Sequence, residues 1–176
     1  LFVWYFGSTR RYEDVPHHTM VLGPRYEGLL DDIFRRHHLA EDFSLYLHRP
    51  TATDASMAPP GCDTFYALSP VPHLDSGTDW PTHAEAYRRD IEQRLEATLL
   101  PGLSRHVTVS RVMTPLDFRD RFLAPSGAAR PSSRPNPPSE GVRLRRTRAS
   151  TSSPHPASPA SSRASSSGPA IPAAWR

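Results

Sequence analysis

At 176 residues the chain is long enough for one ordinary domain with a single core. All 21 basic side chains are arginine, and the net charge of +3 is unevenly laid: residues 1–124 hold 13 Arg against 17 acids, whereas residues 125–176 hold 8 Arg against Glu140. One cysteine, Cys62, excludes an internal disulfide framework and a Cys-rich zinc site, and the short apolar runs fall far below the roughly 20 residues that cross a bilayer.

The chain opens on Leu1-Phe2-Val3-Trp4-Tyr5-Phe6, a strand-like run that needs neighbours on both faces, so we expect the sequence to be a fragment. Further strands are expected at Thr19–Leu22, Phe43–His48, Thr64–Leu68 and Val107–Arg111, each bounded by Gly, Pro, Asp or Ser. A first helix is expected over Tyr26–Arg36, where Tyr26, Leu29, Leu30, Ile33 and Phe34 recur at helical spacing. A second is marked by a Thr82/Glu85 capping box and by Ala84, Tyr87, Ile91, Leu95 and Leu99, and Pro101-Gly102 stops it. A third begins with Thr114 as cap and Pro115 in the first turn. The class is therefore α+β, with two or three helices on a mixed or antiparallel sheet. From Pro125 onward the chain is rich in Ser, Pro, Ala and Arg and holds few large apolar residues, so residues 125–176 are expected to be a disordered tail.

Little chemistry is announced by motif. The glycines never take the spacing of a dinucleotide-binding turn, and Gly23 and Gly28 have the separation of a phosphate loop with Leu29 where its Lys belongs. His17-His18 and His37-His38 are adjacent pairs, whose side chains are expected to diverge, so we expect no metal site there. Cys62 has an acid rather than a base beside it and is read as an idle thiol, and Ser56, Ser69 and Ser76 lack a nucleophile elbow. The run Arg143 to Arg148 has no aromatic stacking partners, so a solvated charge run is expected rather than a specific nucleic-acid arm. The segments Asp42–Thr51 and Phe65–His73 flank a Pro-rich turn; they suit either the wall of an apolar ligand channel or an ordinary sheet core.

Those segments carry a resemblance. Trp4-Tyr5-Phe6-Gly7, Val15-Pro16-His17-His18-Thr19, Leu22-Gly23-Pro24-Arg25-Tyr26, Ala40 through Thr51, Thr53-Asp54 and Ala58-Pro59-Pro60-Gly61-Cys62 resemble the bacterial-type phytoene desaturases, FAD-dependent enzymes of carotenoid synthesis. Ser69-Pro70-Val71-Pro72-His73, Leu100-Pro101-Gly102-Leu103 and Thr114 through Asp120 continue it, to about residue 129. The resemblance implies that residues 1–124 are the partial substrate-binding region of a two-domain FAD-dependent oxidoreductase. It also implies a C40 polyene (phytoene) as substrate, hydride transfer to FAD, and a cytoplasmic enzyme bound peripherally to a membrane surface. The family's flavin-binding motifs have no counterpart in this sequence, so no residue is expected to hold FAD. His48, Arg49, Asp54 and His73 are the expected polar groups lining or closing the substrate channel. The match stops after Gly127-Ala128-Ala129; with no Lys among the bases, a GC-rich gene read in another frame would yield such a tail, and we expect a frameshift there. The alternative is a catalytically inactive truncated remnant whose basic tail binds anions non-specifically.

Overall fold

The computed structural model describes residues 1–127. The expectations for the tail beyond that point, including its disorder and the frameshift, lie outside the described residues. Eight elements follow in order: β1 (Phe2–Ser8), β2 (His18–Val21), α1 (Tyr26–Phe34), β3 (Leu45–His48), β4 (Asp63–Ser69), α2 (Trp80–Thr98), β5 (Val107–Met113) and α3 (Pro115–Phe122), with short 3₁₀ turns between them. This is the expected α+β class, with all five strands in one sheet of order β2-β3-β4-β1-β5. Each pairing is antiparallel. β1 lies inside the sheet, which explains why nearly every residue of that strand is buried.

Side chains alternate across the pleat, so the register fixes two faces with different neighbours. Phe2, Trp4 and Phe6 of β1 share one face with Leu45 and Leu47 of β3 and Phe65 and Ala67 of β4, and α2 covers that face through Trp80, Tyr87, Ile91 and Leu95. The Phe2 ring lies 5.6 Å from Trp80 and meets Tyr87 edge-on at 4.9 Å. Each such aliphatic or aromatic side chain contributes about 1.5–3 kcal/mol by leaving water.

Two helix boundaries depart from expectation. The second helix begins at Trp80, two residues before the expected Thr82 cap. Asp79 occupies the cap position, the Thr82 hydroxyl donates to Asp79 Oδ2 at 2.7 Å, and Glu85 pairs with Arg88 instead of closing a box. Pro81 is compatible with a first turn, where a missing N–H costs nothing, and the fully buried Trp80 fastens that turn to the core. The first helix stops at Phe34; Leu29 and Ile33 are buried with Ala40, while Tyr26 and Phe34 of the expected stripe face solvent. The third helix starts as expected, with Thr114 and Asp117 forming a reciprocal capping box.

A buried polar node ties the loops under the sheet. Asp63, at the start of β4, is fully buried and accepts from Arg49 Nε at 3.1 Å, from the Thr51 hydroxyl at 2.7 Å and from the Tyr12 N–H at 2.7 Å. Arg49 Nη1 also donates to the Val15 carbonyl at 2.8 Å. A charge pair removed from water this completely is tolerated only when its remaining donors and acceptors are satisfied.

Candidate functional site

The second face of the sheet carries an aromatic band. Tyr5 on β1 stands opposite Tyr66 on β4, Tyr66 opposite His48 on β3, and His48 opposite His18 on β2. The same parity places Leu68, Tyr46 and Met20 one pleat further along. Ring centroids are 5.7 Å apart for Tyr5 and Tyr66, 4.6 Å for His48 and Tyr66, and 5.9 Å for Tyr46 and Tyr66. All of these rings except the exposed His18 are half-buried, in contrast to the closed core on the other face.

The band is mainly apolar surface edged by phenols and imidazoles. Burial pushes the Tyr66 phenol up to about 12, helped by its neighbour Tyr46, so this hydroxyl stays neutral at physiological pH. Burial raises the Tyr5 phenol as well, partly offset by Arg111. Such a surface offers dispersion contacts to an elongated apolar ligand and a few neutral polar tips for orientation.

The four polar residues expected to line a channel lie in different places. His48 is on the band. Arg49, the next residue, points to the opposite side, where its guanidinium is committed to Asp63, Val15 and Glu13. Asp54 caps an exposed 3₁₀ turn, accepting from the Ser56 N–H and hydroxyl, and those bonds hold its carboxyl below the usual range. His73 caps another turn through the Asp75 N–H, with its ring 4.2 Å from that of His37.

Adjacent histidines do not diverge at positions 17 and 18, contrary to expectation. His18 begins β2, but His17 sits in the bend before it, outside the strand alternation. Both rings therefore approach His48: His17 Nε2 is 2.6 Å from His48 Nε2, and the His17 and His18 ring centroids are 4.3 Å apart. The strand parity of His18 and His48 was readable in the sequence once β2 and β3 were paired; the turn that brings His17 in was not. His48 is held towards the neutral imidazole, first by burial and then by the two neighbouring rings.

Among the described residues the glycines that adopt a left-handed conformation, Gly61, Gly77, Gly102 and Gly127, belong to separate turns. A β-carbon at Gly127 would collide with the Pro115 carbonyl, so the chain itself fills that close approach. The described residues offer no backbone cradle for a pyrophosphate and do not fit the FAD that the resemblance implies. The cleft bounded by Arg25, Asp32, Arg36, His38 and Asp42 is charged and internally paired, with Arg25 bridging Asp32 at 3.2 Å and Asp42 at 2.5 Å. No helix among the described residues is long and apolar enough to cross a membrane.

No family model matches the chain. Over 73% of its length it is 52% identical to a neurosporene-forming phytoene desaturase of Rhodobacter capsulatus. It is 47% identical over 73% of its length to a lycopene-forming phytoene desaturase of Pantoea ananas, and 38% identical over 72% to a zeta-carotene-forming phytoene desaturase of Myxococcus xanthus. The chain spans about a quarter of the length of these curated relatives, 25%, 26% and 25% respectively.

Proposed function

Since the matched 73% of the chain belongs to the bacterial phytoene desaturase family, we propose that it is a fragment of such an enzyme and supplies one wall of its polyene channel. The single observation that carries the wall assignment is the second sheet face, where Tyr5, Tyr66, Tyr46, His48 and Leu68 form a half-buried aromatic and aliphatic band. A C40 polyene is long, flat and without polar groups. It gains affinity by stacking along such a band and by the water it displaces. Neutral phenols suit this task, because a charged side chain in the wall would have to be desolvated when the polyene enters.

In this reading residues 1–124 are the partial substrate-binding region of a two-domain oxidoreductase. The reaction is dehydrogenation of phytoene towards neurosporene or lycopene, with FAD as hydride acceptor held by polypeptide other than the described residues. The work of the described residues is positioning and exclusion of water, and no chemical step is assigned to them. Of the expected polar groups only His48 reaches the band; Arg49 secures the loops beneath the sheet, and Asp54 and His73 shape turns. The intact enzyme would be cytoplasmic and rest on a lipid surface. Met20, Leu22 and Phe34 support that contact, being 63%, 54% and 68% exposed on β2, the loop after it and α1. The close matches to desaturases favour this reading over an anion-binding remnant.

A chimera tests it. Residues 1–124 replace the matching stretch of the Rhodobacter capsulatus desaturase in cells that accumulate phytoene. Coloured carotenoid is the expected product, reduced at least about tenfold by Leu68→Glu, which puts a charge into the apolar wall. A folded, flavin-loaded chimera that leaves phytoene untouched would refute the assignment.

A further inference from the structure

We propose that His17, His18 and His48 form a binding site for a divalent transition metal ion, with zinc the best match to its donors. Each of the three residues offers one ligand atom, and the three atoms lie within 4.8 Å of one another. The donors come from two neighbouring chain segments, the bend leading into β2 and the end of β3, which are locked together by the His18–His48 pairing and by the Arg49 N–H donating to the His17 carbonyl at 2.9 Å. A set of three imidazoles brought together by a hydrogen-bonded ladder is pre-organised, and each donor is borderline-soft, as zinc, nickel and copper prefer.

The outer nitrogens support the same assignment. His17 Nδ1 is 2.8 Å from the Thr53 hydroxyl, and His18 Nδ1 is 2.5 Å from the Tyr46 hydroxyl. Each hydroxyl can accept an N–H, which leaves the Nε2 lone pair of both rings free for an ion; this is the usual way in which a second residue orients a metal-binding imidazole. His48 directs Nε2 towards His17, and in doing so leaves its own Nδ1 buried without a partner. An ion on Nε2 places the His48 proton on this Nδ1, so the outer nitrogens of His17 and His18 carry the orientation of the site and His48 is its least supported ligand.

Bond lengths set the movement required. Zinc–nitrogen bonds of about 2.0–2.1 Å in a tetrahedral site place ligand nitrogens about 3.3 Å apart. The present 2.6 Å between His17 and His48 must therefore widen by about 0.7 Å, a displacement that small side-chain rotations supply. Three protein ligands leave a fourth position for water or another donor. The site shares His48 and Tyr46 with the proposed polyene wall, at its β2 edge, and is measured without substrate or flavin, so its failure and the failure of that reading are distinguishable.

The full 176-residue chain, with any affinity tag removed and stripped of metal by a chelator, is titrated with Co²⁺ and then with Zn²⁺. One equivalent of Co²⁺ should bind and develop the intense visible bands of a four-coordinate ion, and one equivalent of Zn²⁺ should abolish them. His18 is exposed, so His18→Gln leaves the core intact while lowering affinity at least about tenfold; His48→Gln should do the same. Thr53→Ala and Tyr46→Phe should each weaken binding about 10–100-fold through the outer nitrogens, and His106→Gln should leave it unchanged. Absence of the bands, or a His18→Gln protein of native near-ultraviolet dichroism that binds as tightly as the parent, would overturn the site and leave only a shared proton between His17 and His48.

Discussion

Asp63→Asn removes one negative charge from the best-buried position of the polar node and keeps the side-chain shape. Arg49 is 3% exposed and Asp63 0%, so the guanidinium left behind cannot recover its hydration without opening the loops. Breaking a buried pair on one side costs about 3–5 kcal/mol, because the remaining charge is uncompensated. The amide still offers one oxygen, which in the place of Oδ2 can go on accepting from both the Tyr12 N–H and Arg49 Nε, while Thr51 can turn its hydroxyl to accept from the new amide. The loss is thus expected at the lower end, about 3 kcal/mol, whereas Asp63→Ala also strands two donors and should exceed 5 kcal/mol, enough to unfold a domain of ordinary stability. Urea denaturation of the full chain followed by far-ultraviolet dichroism measures both. For a body of this size about 3 kcal/mol corresponds to a fall in Tm of roughly 9–15 °C. A loss below 1 kcal/mol for Asp63→Asn would show that water reaches the pair and that the node does not secure Arg49.

Further outcomes follow from the same geometry. Trp80→Ala, which empties a fully buried site against Phe2, should cost about 3–5 kcal/mol in the same denaturation assay. Thr114→Ala dismantles the capping box of α3 and should cost about 1 kcal/mol, with the loss of amide protection confined to that helix in hydrogen exchange. Tyr66 should ionise near pH 12, read from phenolate absorbance compared with Tyr66→Phe. Its pKa is higher folded than unfolded, so its contribution to stability is complete below pH 10 and fades between 10 and 12; a phenol titrating near 10 would show the band to be fully hydrated.

The elements were legible where one period dominates. The apolar run of β1, the stripe Tyr87, Ile91, Leu95 of α2 and the Thr114-Pro115 start of α3 lie where their residue types demand. Trp80 was hidden because Pro81 and Thr82 together look like a helix entrance, and only the core contact shows that the helix begins earlier. The polar candidates were harder to place, since proximity to a strand end says nothing of which face a side chain takes until partners fix the register. Arg49 and His48 are neighbours in sequence and serve opposite sides of the sheet. The His17 and His18 rings converge through a bend, a feature that strand periodicity cannot express.

Photoactivatable polyene cross-linking, with labelled residues mapped by mass spectrometry on the full chain, measures most directly whether the second sheet face receives the substrate. Adducts at Tyr5, Tyr46, His48, Tyr66 and Leu68, competed away by unlabelled phytoene and sparing the solvent side of α2, are the expected result. Adducts spread over α2, or labelling that phytoene fails to displace, would contradict the channel wall.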